Sequence, residues 1–220
     1  MLKKESRLWE LLQCIPPECN VLADVGCDHG KLTVAAVKEN RCKKAIGLDI
    51  SQASLMKAER LAFLHGVESK TVFLVSDGLE KVNEPIDVAI IAGMGANEII
   101  HILQNAPPIK TYILCPHQDV EVLRRFLSGK FEIKKDFIVK ENDKFYPVIC
   151  AETKNDGNIR LYSEEEIFLG KNLPERVAFD EKNTKRYEYL KNLFETKKIS
   201  GSEKTVKEYE VLQKWQQSRK

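Results

Sequence analysis

Apolar residues in the first 150 positions follow two alternating rhythms. Short, nearly unbroken runs at Val21–Val25, Ala45–Asp49, Val72–Val75, Asp87–Ala92 and Thr111–Cys115 read as strands buried on both faces, since such strands have no solvated side. Between them, Lys31–Asn40, Gln52–His65, Asn97–Leu103 and Val120–Leu127 read as helices lying over a sheet. Ser51 and Gly66 stand at the two cap positions of the 52–65 helix, matching the side-chain N-cap and the glycine stop. Residues 1–15 place Leu8, Leu11, Leu12 and Ile15 on one face, and Pro16-Pro17 ends that helix because proline cannot donate into a further turn. The alternation predicts an α/β fold around a parallel sheet.

After Gly129 the rhythm changes. Phe131–Val139 and Phe145–Ala151 are strand-like runs joined by Lys140–Lys144, which leaves no room for a crossover helix. They predict an antiparallel hairpin closing the sheet. From Asn155 the composition turns to Lys and Glu, with Asp156-Gly157-Asn158 as a connector. Tyr187, Leu190 and Phe194, then Val206, Tyr209, Leu212 and Trp215, recur at helical spacing on either side of Gly201. Two helices of this kind are marginal alone, so a coiled-coil-like hairpin is expected. The domain reading is residues 1–153 as an N-terminal helix plus catalytic domain, and 154–220 as connector and helical hairpin.

Composition bounds the function without fixing it. The chain has 220 residues, 43% hydrophobic and 31% charged, with a net charge of +2, which describes a globular protein and neither requires nor excludes nucleic acid. Its six cysteines form no C-x-x-C and no histidine stands at zinc spacing. They read as reduced thiols, with no metal site expected. The charged N-terminus does not read as a signal peptide, and no apolar run approaches the roughly 18 residues of a membrane span. A cytoplasmic protein with no membrane partner is the expectation.

Candidate chemistry gathers at the predicted strand ends. Asp24-Val-Gly-Cys-Asp-His-Gly30 runs from a strand through a glycine turn into a helix, an arrangement that holds anions or nucleotides. Its spacing is D-x-G-x-x-x-G, with Asp28 in place of a middle glycine, which points to S-adenosylmethionine (SAM) rather than a dinucleotide. Asp24, Gly26, Cys27 and Gly30 would take the amino-acid end of SAM. Asp49, with Ile50, ends the second strand and is placed for the ribose hydroxyls. Asp77 would accept from the adenine amine, with the Gly78 and Leu79 backbone over the ring. Ala92-Gly93-Met94-Gly95 would line the methyl donor. Each of these alone is as readily a turn or a solvated strand end; together they sit at the edge where open α/β sheets bind ligands. Asp28 and His29 are the candidate catalytic pair, although a loop histidine is equally at home as an exposed residue. Arg124-Arg125, Lys130 and Lys134-Lys135 read as a solvated surface or as a phosphate track. A parallel core ended by an antiparallel hairpin is the topology of class I SAM-dependent methyltransferases, a Rossmann-like, mostly parallel seven-stranded sheet with an antiparallel last strand.

On these motifs the chain resembles the bacterial TrmK family, tRNA (adenine-N1)-methyltransferases acting on adenine 22. The resemblance rests on Asp24–Thr33, Ser76-Asp77-Gly78-Leu79, Ile91-Ala-Gly-Met-Gly-Ala96, Ile99–Leu103, Arg124 and Tyr146–Glu152. It implies SAM as methyl donor and tRNA as partner, bound through the helical tail by residues such as Lys185, Arg186, Lys197 and Lys198. Cys115 and His117 stand where the family has Gln and Asn, and Pro147 interrupts the last strand, where an irregularity is expected. A methyltransferase with a small-molecule or protein acceptor, and a non-catalytic binding module on the same fold, remain open at this point.

Overall fold

The computed structural model describes residues 2–154, 160–171, 177–196 and 201–219. The predicted connector Asp156-Gly157-Asn158 and the basic residues Lys197 and Lys198 lie outside the described residues. Seven strands form one sheet in the order β3-β2-β1-β4-β5-β7-β6: β1 Val21–Val25, β2 Lys44–Asp49, β3 Thr71–Val75, β4 Val88–Ala92, β5 Thr111–Cys115, β6 Phe131–Glu141 and β7 Lys144–Thr153. The first five pair in parallel, while β7 runs antiparallel to both β5 and β6. This is the predicted fold class.

Alternation along β1 explains why the sheet is covered twice. Leu22 joins one apolar cluster, under α1 (Arg7–Gln13), α2 (Lys31–Lys38) and α3 (Gln52–Leu64). Ala23 and Val25 join the other, under α4 (Ala96–Asn105) and α5 (Val120–Leu127). The strand order reverses between the parallel neighbours β1 and β4, which leaves a crevice at the C-terminal rim, where open α/β sheets bind ligands.

Three local features differ from the sequence reading. The first helix begins at Arg7, capped by the Ser6 hydroxyl accepting from the Trp9 N–H at 3.3 Å, so residues 2–6 stay outside it. The hairpin turn is two residues, Asn142 and Asp143, at φ 48° and 59°; both types tolerate the left-handed region a tight primed turn needs. The irregularity falls at Lys134, where the register slips between Ile133 and Lys135, and not at Pro147. Pro147 pairs with Ile138 beyond the last β5 partner, Ile149, so it owes a ladder bond on one side at most.

Among its described residues the C-terminal part holds a helix that the sequence reading did not expect. α6 (Glu164–Leu169) carries a capping box of Ser163 and Glu166, and it precedes α7 (Val177–Lys191) and α8 (Glu203–Gln217). Leu169, Phe179, Leu190, Leu212 and Trp215 bury a third apolar cluster against Ile138 of β6. No helix among the described residues is long and apolar enough to cross a membrane, and among them no group of His, Cys, Asp and Glu could hold a metal ion.

Candidate active site

Four strand-end loops meet in one cleft of about 810 Å³. Gly26 and Asp28 enter it from the β1 loop, Asp49 and Ile50 from β2, Ser76, Asp77 and Gly78 from β3, and Ala92, Gly93 and Met94 from β4. A smaller cavity of about 90 Å³ adjoins it and reaches Asp24, Cys27 and His29. Gly30, Leu79 and Gly95 line neither. Gly30 packs instead: a Cβ there would lie 2.6 Å from the Ala58 Cβ, so glycine is what lets α2 approach α3. Leu79 puts its side chain into the core at 2% exposure, and the Gly95 N–H donates to Glu98 Oε2 at 2.8 Å at the start of α4.

Asp24 is buried at the tip of β1, its Oδ2 accepting from the Thr33 hydroxyl at 2.6 Å. Burial pushes its carboxyl up to about 6, against the Thr33 hydrogen bonds that lower it. The nearby Asp49 charge raises it further and Arg7 lowers it. A buried carboxylate at the rim of a cavity is suited to a cation. Burial also raises the Cys27 thiol, which suits an inert wall rather than a nucleophile.

Asp49 does two jobs. Its Oδ2 accepts from the Asp28 N–H and its Oδ1 from the Ser51 N–H, both at 2.9 Å. The first bond holds Asp28 at φ 50°. A carboxylate has about four acceptor sites, so two remain for hydroxyls in the cleft. Asp28 itself is open to solvent, with His29 Nε2 3.5 Å from its Oδ1 and Lys57 Nζ 3.2 Å from that same ring nitrogen.

Sequence reasoning missed part of this site. Arg7 lines both cavities, its guanidinium 5.2 Å from the Tyr146 ring centroid. Its Nη1 is buried with no hydrogen-bond partner among the described residues. The Ser76 hydroxyl, 3% exposed and in the cleft, likewise has none among them. Two orphaned donors in one cleft leave room for an acceptor-bearing ligand. Asn97, Glu98 and His101 of α4 add a polar wall. The only signal in the chain for Arg7 was a cation next to the amphipathic stripe, which many surface helices share.

At the other end, Gly93 at φ 85° faces His117: a Cβ there would lie 3.7 Å from Nε2 and 4.0 Å from Arg7 Nη1. The His117 N–H donates to the Met94 carbonyl at 2.9 Å, bringing the β5 loop to the cleft, whereas Cys115 is fully buried at the end of β5. The pattern described as "Methyltransferase domain" matches residues 4–149. The chain belongs to this methyltransferase family. A tRNA (adenine(22)-N(1))-methyltransferase of Bacillus subtilis is 31% identical over 157 residues, 69% of this chain and 66% of that protein. The crystal structure of the B. subtilis m1A22 tRNA methyltransferase TrmK has a TM-score of 0.79 at 25% identity, over 97% of this chain and 96% of that one. Streptococcus pneumoniae Sp1610 in complex with S-adenosyl-L-methionine gives 0.83 at 25% identity, covering 97% and 99%. Among methyltransferases of this kind the match thus includes the helical C-terminal part.

Arg124 corrects one reading. It is neither solvated nor a phosphate track: at 1% exposure it forks onto Asp136 and reaches the Ile167 and Phe168 carbonyls. Arg125 is exposed and bonds Glu164.

Proposed function

We propose that this protein is a SAM-dependent tRNA methyltransferase that methylates N1 of adenine 22. The observation that carries the reading is the pair of adjoining cavities, both lined by Arg7, into which Asp24 on one side and Asp49 and Asp77 on the other converge. Those groups complement SAM end to end: Arg7 for its carboxylate, Asp24 for its ammonium, Asp49 for the ribose diol and Asp77 for the adenine amine. The B. subtilis relative supports the target. Bound SAM supplies an electrophilic methyl group on a sulfonium.

The chain's own residues supply position. Neutral adenine has a free lone pair on N1, so no base must deprotonate the nucleophile, and holding it in line about 3 Å from the methyl accounts for most of the rate. Gly93 lacks a side chain where the acceptor enters, and His117 forms the outer wall. Asp28 accepts from the exocyclic amine and offsets the positive charge of the methylated base, with His29 beside it. N1 lies on the Watson–Crick edge, so the base is extruded at a cost of a few kcal/mol. The helical hairpin, with Lys185 and Arg186, grips the folded RNA through shape and phosphates, in the cytoplasm where tRNA is processed.

Labelled SAM with unmodified tRNA, carrying either adenine or guanine at position 22, tests this. Label on the adenine tRNA alone is the expected result. Equal label on both rejects the target, and SAM binding without any transfer to tRNA favours a different acceptor.

A further inference from the structure

A second cavity, about 490 Å³, opens beside the cleft and shares His117 with it. Its walls come from the β5–α5 loop, Phe145 and Pro147 of β7, the end of α6, and facing sides of α7 and α8. Most of its charges are committed. Lys185 bonds Glu181 at 2.9 Å, Arg186 bonds Glu208 at 2.6 Å, and Lys204 reaches Asp119 at 2.7 Å and Glu121 at 2.5 Å.

Two donors are left over. Asn183 is 3% exposed and its Nδ2 is buried with no hydrogen-bond partner among the described residues. Lys182, its chain neighbour, lines the same cavity and makes no ion pair among the described residues. A buried amide donor without an acceptor costs roughly 1–3 kcal/mol, and a partly buried ammonium beside it adds to the demand for an anion. Burial and the Arg124 charge hold Lys182 down to about 8, a penalty that a bound anion relieves. Each of the other wall cations has a carboxylate partner, Lys185 in Glu181, Arg186 in Glu208 and Lys204 in Asp119 and Glu121, which leaves the Lys182 ammonium as the one to be met by a ligand. Tyr189, 58% exposed at the same site, offers a ring face to a base.

We infer that this cavity is a phosphodiester subsite, in which the Lys182 ammonium and the Asn183 amide hold one backbone phosphate adjacent to the nucleotide whose base enters the neighbouring cleft. The inference rests on the tRNA reading above. Continuity through His117 selects RNA backbone over a free anion: a strand that delivers its base past Gly93 and His117 carries its next phosphate toward α7. Phosphate contacts of this kind set register and leave sequence unread.

The test uses the full chain and tRNAs in which each phosphate near position 22 is replaced, one at a time, by a neutral methylphosphonate. One replacement is expected to weaken binding to the unaltered protein roughly tenfold, as for a lost charge-assisted hydrogen bond, and to cost nothing further in Lys182→Met. That variant should raise the KM for tRNA about tenfold with SAM affinity intact, and its log–log salt slope should flatten by roughly 0.7–0.9, one phosphate's worth. Asn183→Asp, which exchanges the donor for a carboxylate, should weaken tRNA binding further. A flat methylphosphonate scan alongside normal tRNA methylation overturns the subsite alone. Failure of the unaltered protein to bind or methylate tRNA overturns the tRNA reading and the subsite together. Because the scan needs no variant, a poorly folding Lys182→Met leaves it decisive.

Discussion

Arg124 and Asp136 close a two-bond fork, Nε to Oδ2 and Nη2 to Oδ1, both at 2.8 Å, with each side chain 1% exposed. The remaining Nη1 donates to the carbonyls of Ile167 and Phe168 at 3.0 and 3.1 Å, so one guanidinium ties α5, β6 and α6 together. Removing one partner strands the other charge. Arg124→Ala should therefore lower unfolding stability by roughly 3–5 kcal/mol, read as a shift of the urea midpoint at an unchanged slope. A loss below about 1 kcal/mol would mean the fork contributes little beyond packing.

Asp49 should matter to the cofactor twice, through its free acceptor sites and through its hold on the Asp28 N–H at 2.9 Å. Hydrogen bonds to a charged group contribute about 1.5–3 kcal/mol each, so Asp49→Ala should weaken SAM binding roughly 10- to 100-fold. Calorimetric titration measures this directly. A dissociation constant that does not move removes Asp49 from the pocket.

How far the sequence could be read follows from the range of the interactions involved. The strand ends were legible because period and punctuation are local: apolar runs fix β1 to β5, although β3 is an edge strand with none of its residues buried, and Asp24, Asp49, Asp77 and Gly93 fall at their ends. Arg7 and Ser76 were not, since an orphaned donor is visible only once distant segments close around it. Gly30 was read as a ligand contact, yet its neighbour is Ala58, 28 positions away. Arg124 looked like a surface cation because nothing in its own helix announces Asp136 or the α6 carbonyls. α6 itself is six residues long, too short for periodicity to declare it.

Asp24 gives the site a pH dependence whose sign is fixed by burial. Its folded-state carboxyl titrates at about 6, above the ordinary value of 3.8, with desolvation as the leading cause. The folded chain thus keeps a proton that the unfolded chain releases. The associated stability is fully present below about pH 4 and is lost as pH rises through 6, amounting to about 3 kcal/mol at one unit per 1.36 kcal/mol. Asp24→Asn should make the cofactor-free protein more stable at pH 7 and have little effect at pH 4, by thermal unfolding. The SAM ammonium favours the ionised form, so affinity should rise between pH 5 and 7 in the unaltered protein and stay weak and flat in the variant. Parallel pH profiles for the two proteins would exclude Asp24 as the ammonium partner.

Trp215 is where the hairpin's proposed role in gripping RNA separates from the cofactor site. Its ring meets Phe179 edge-on at 6.0 Å, with the Arg219 guanidinium 4.9 Å from its centroid, and it joins the cluster that seats α7 and α8 on Ile138. Truncating a buried tryptophan costs roughly 3–5 kcal/mol, and here that loss falls on the cluster that docks the two helices. None of the cleft residues comes from α7 or α8, so SAM binding should survive Trp215→Ala while tRNA methylation falls and α8 becomes protease-sensitive. The substitution is a cleaner cut than deleting residues 158–220, which would also strip Arg124 of the Ile167 and Phe168 carbonyls. If tRNA turnover persists in a variant whose hairpin has come loose, the grip on RNA must lie on the sheet domain instead.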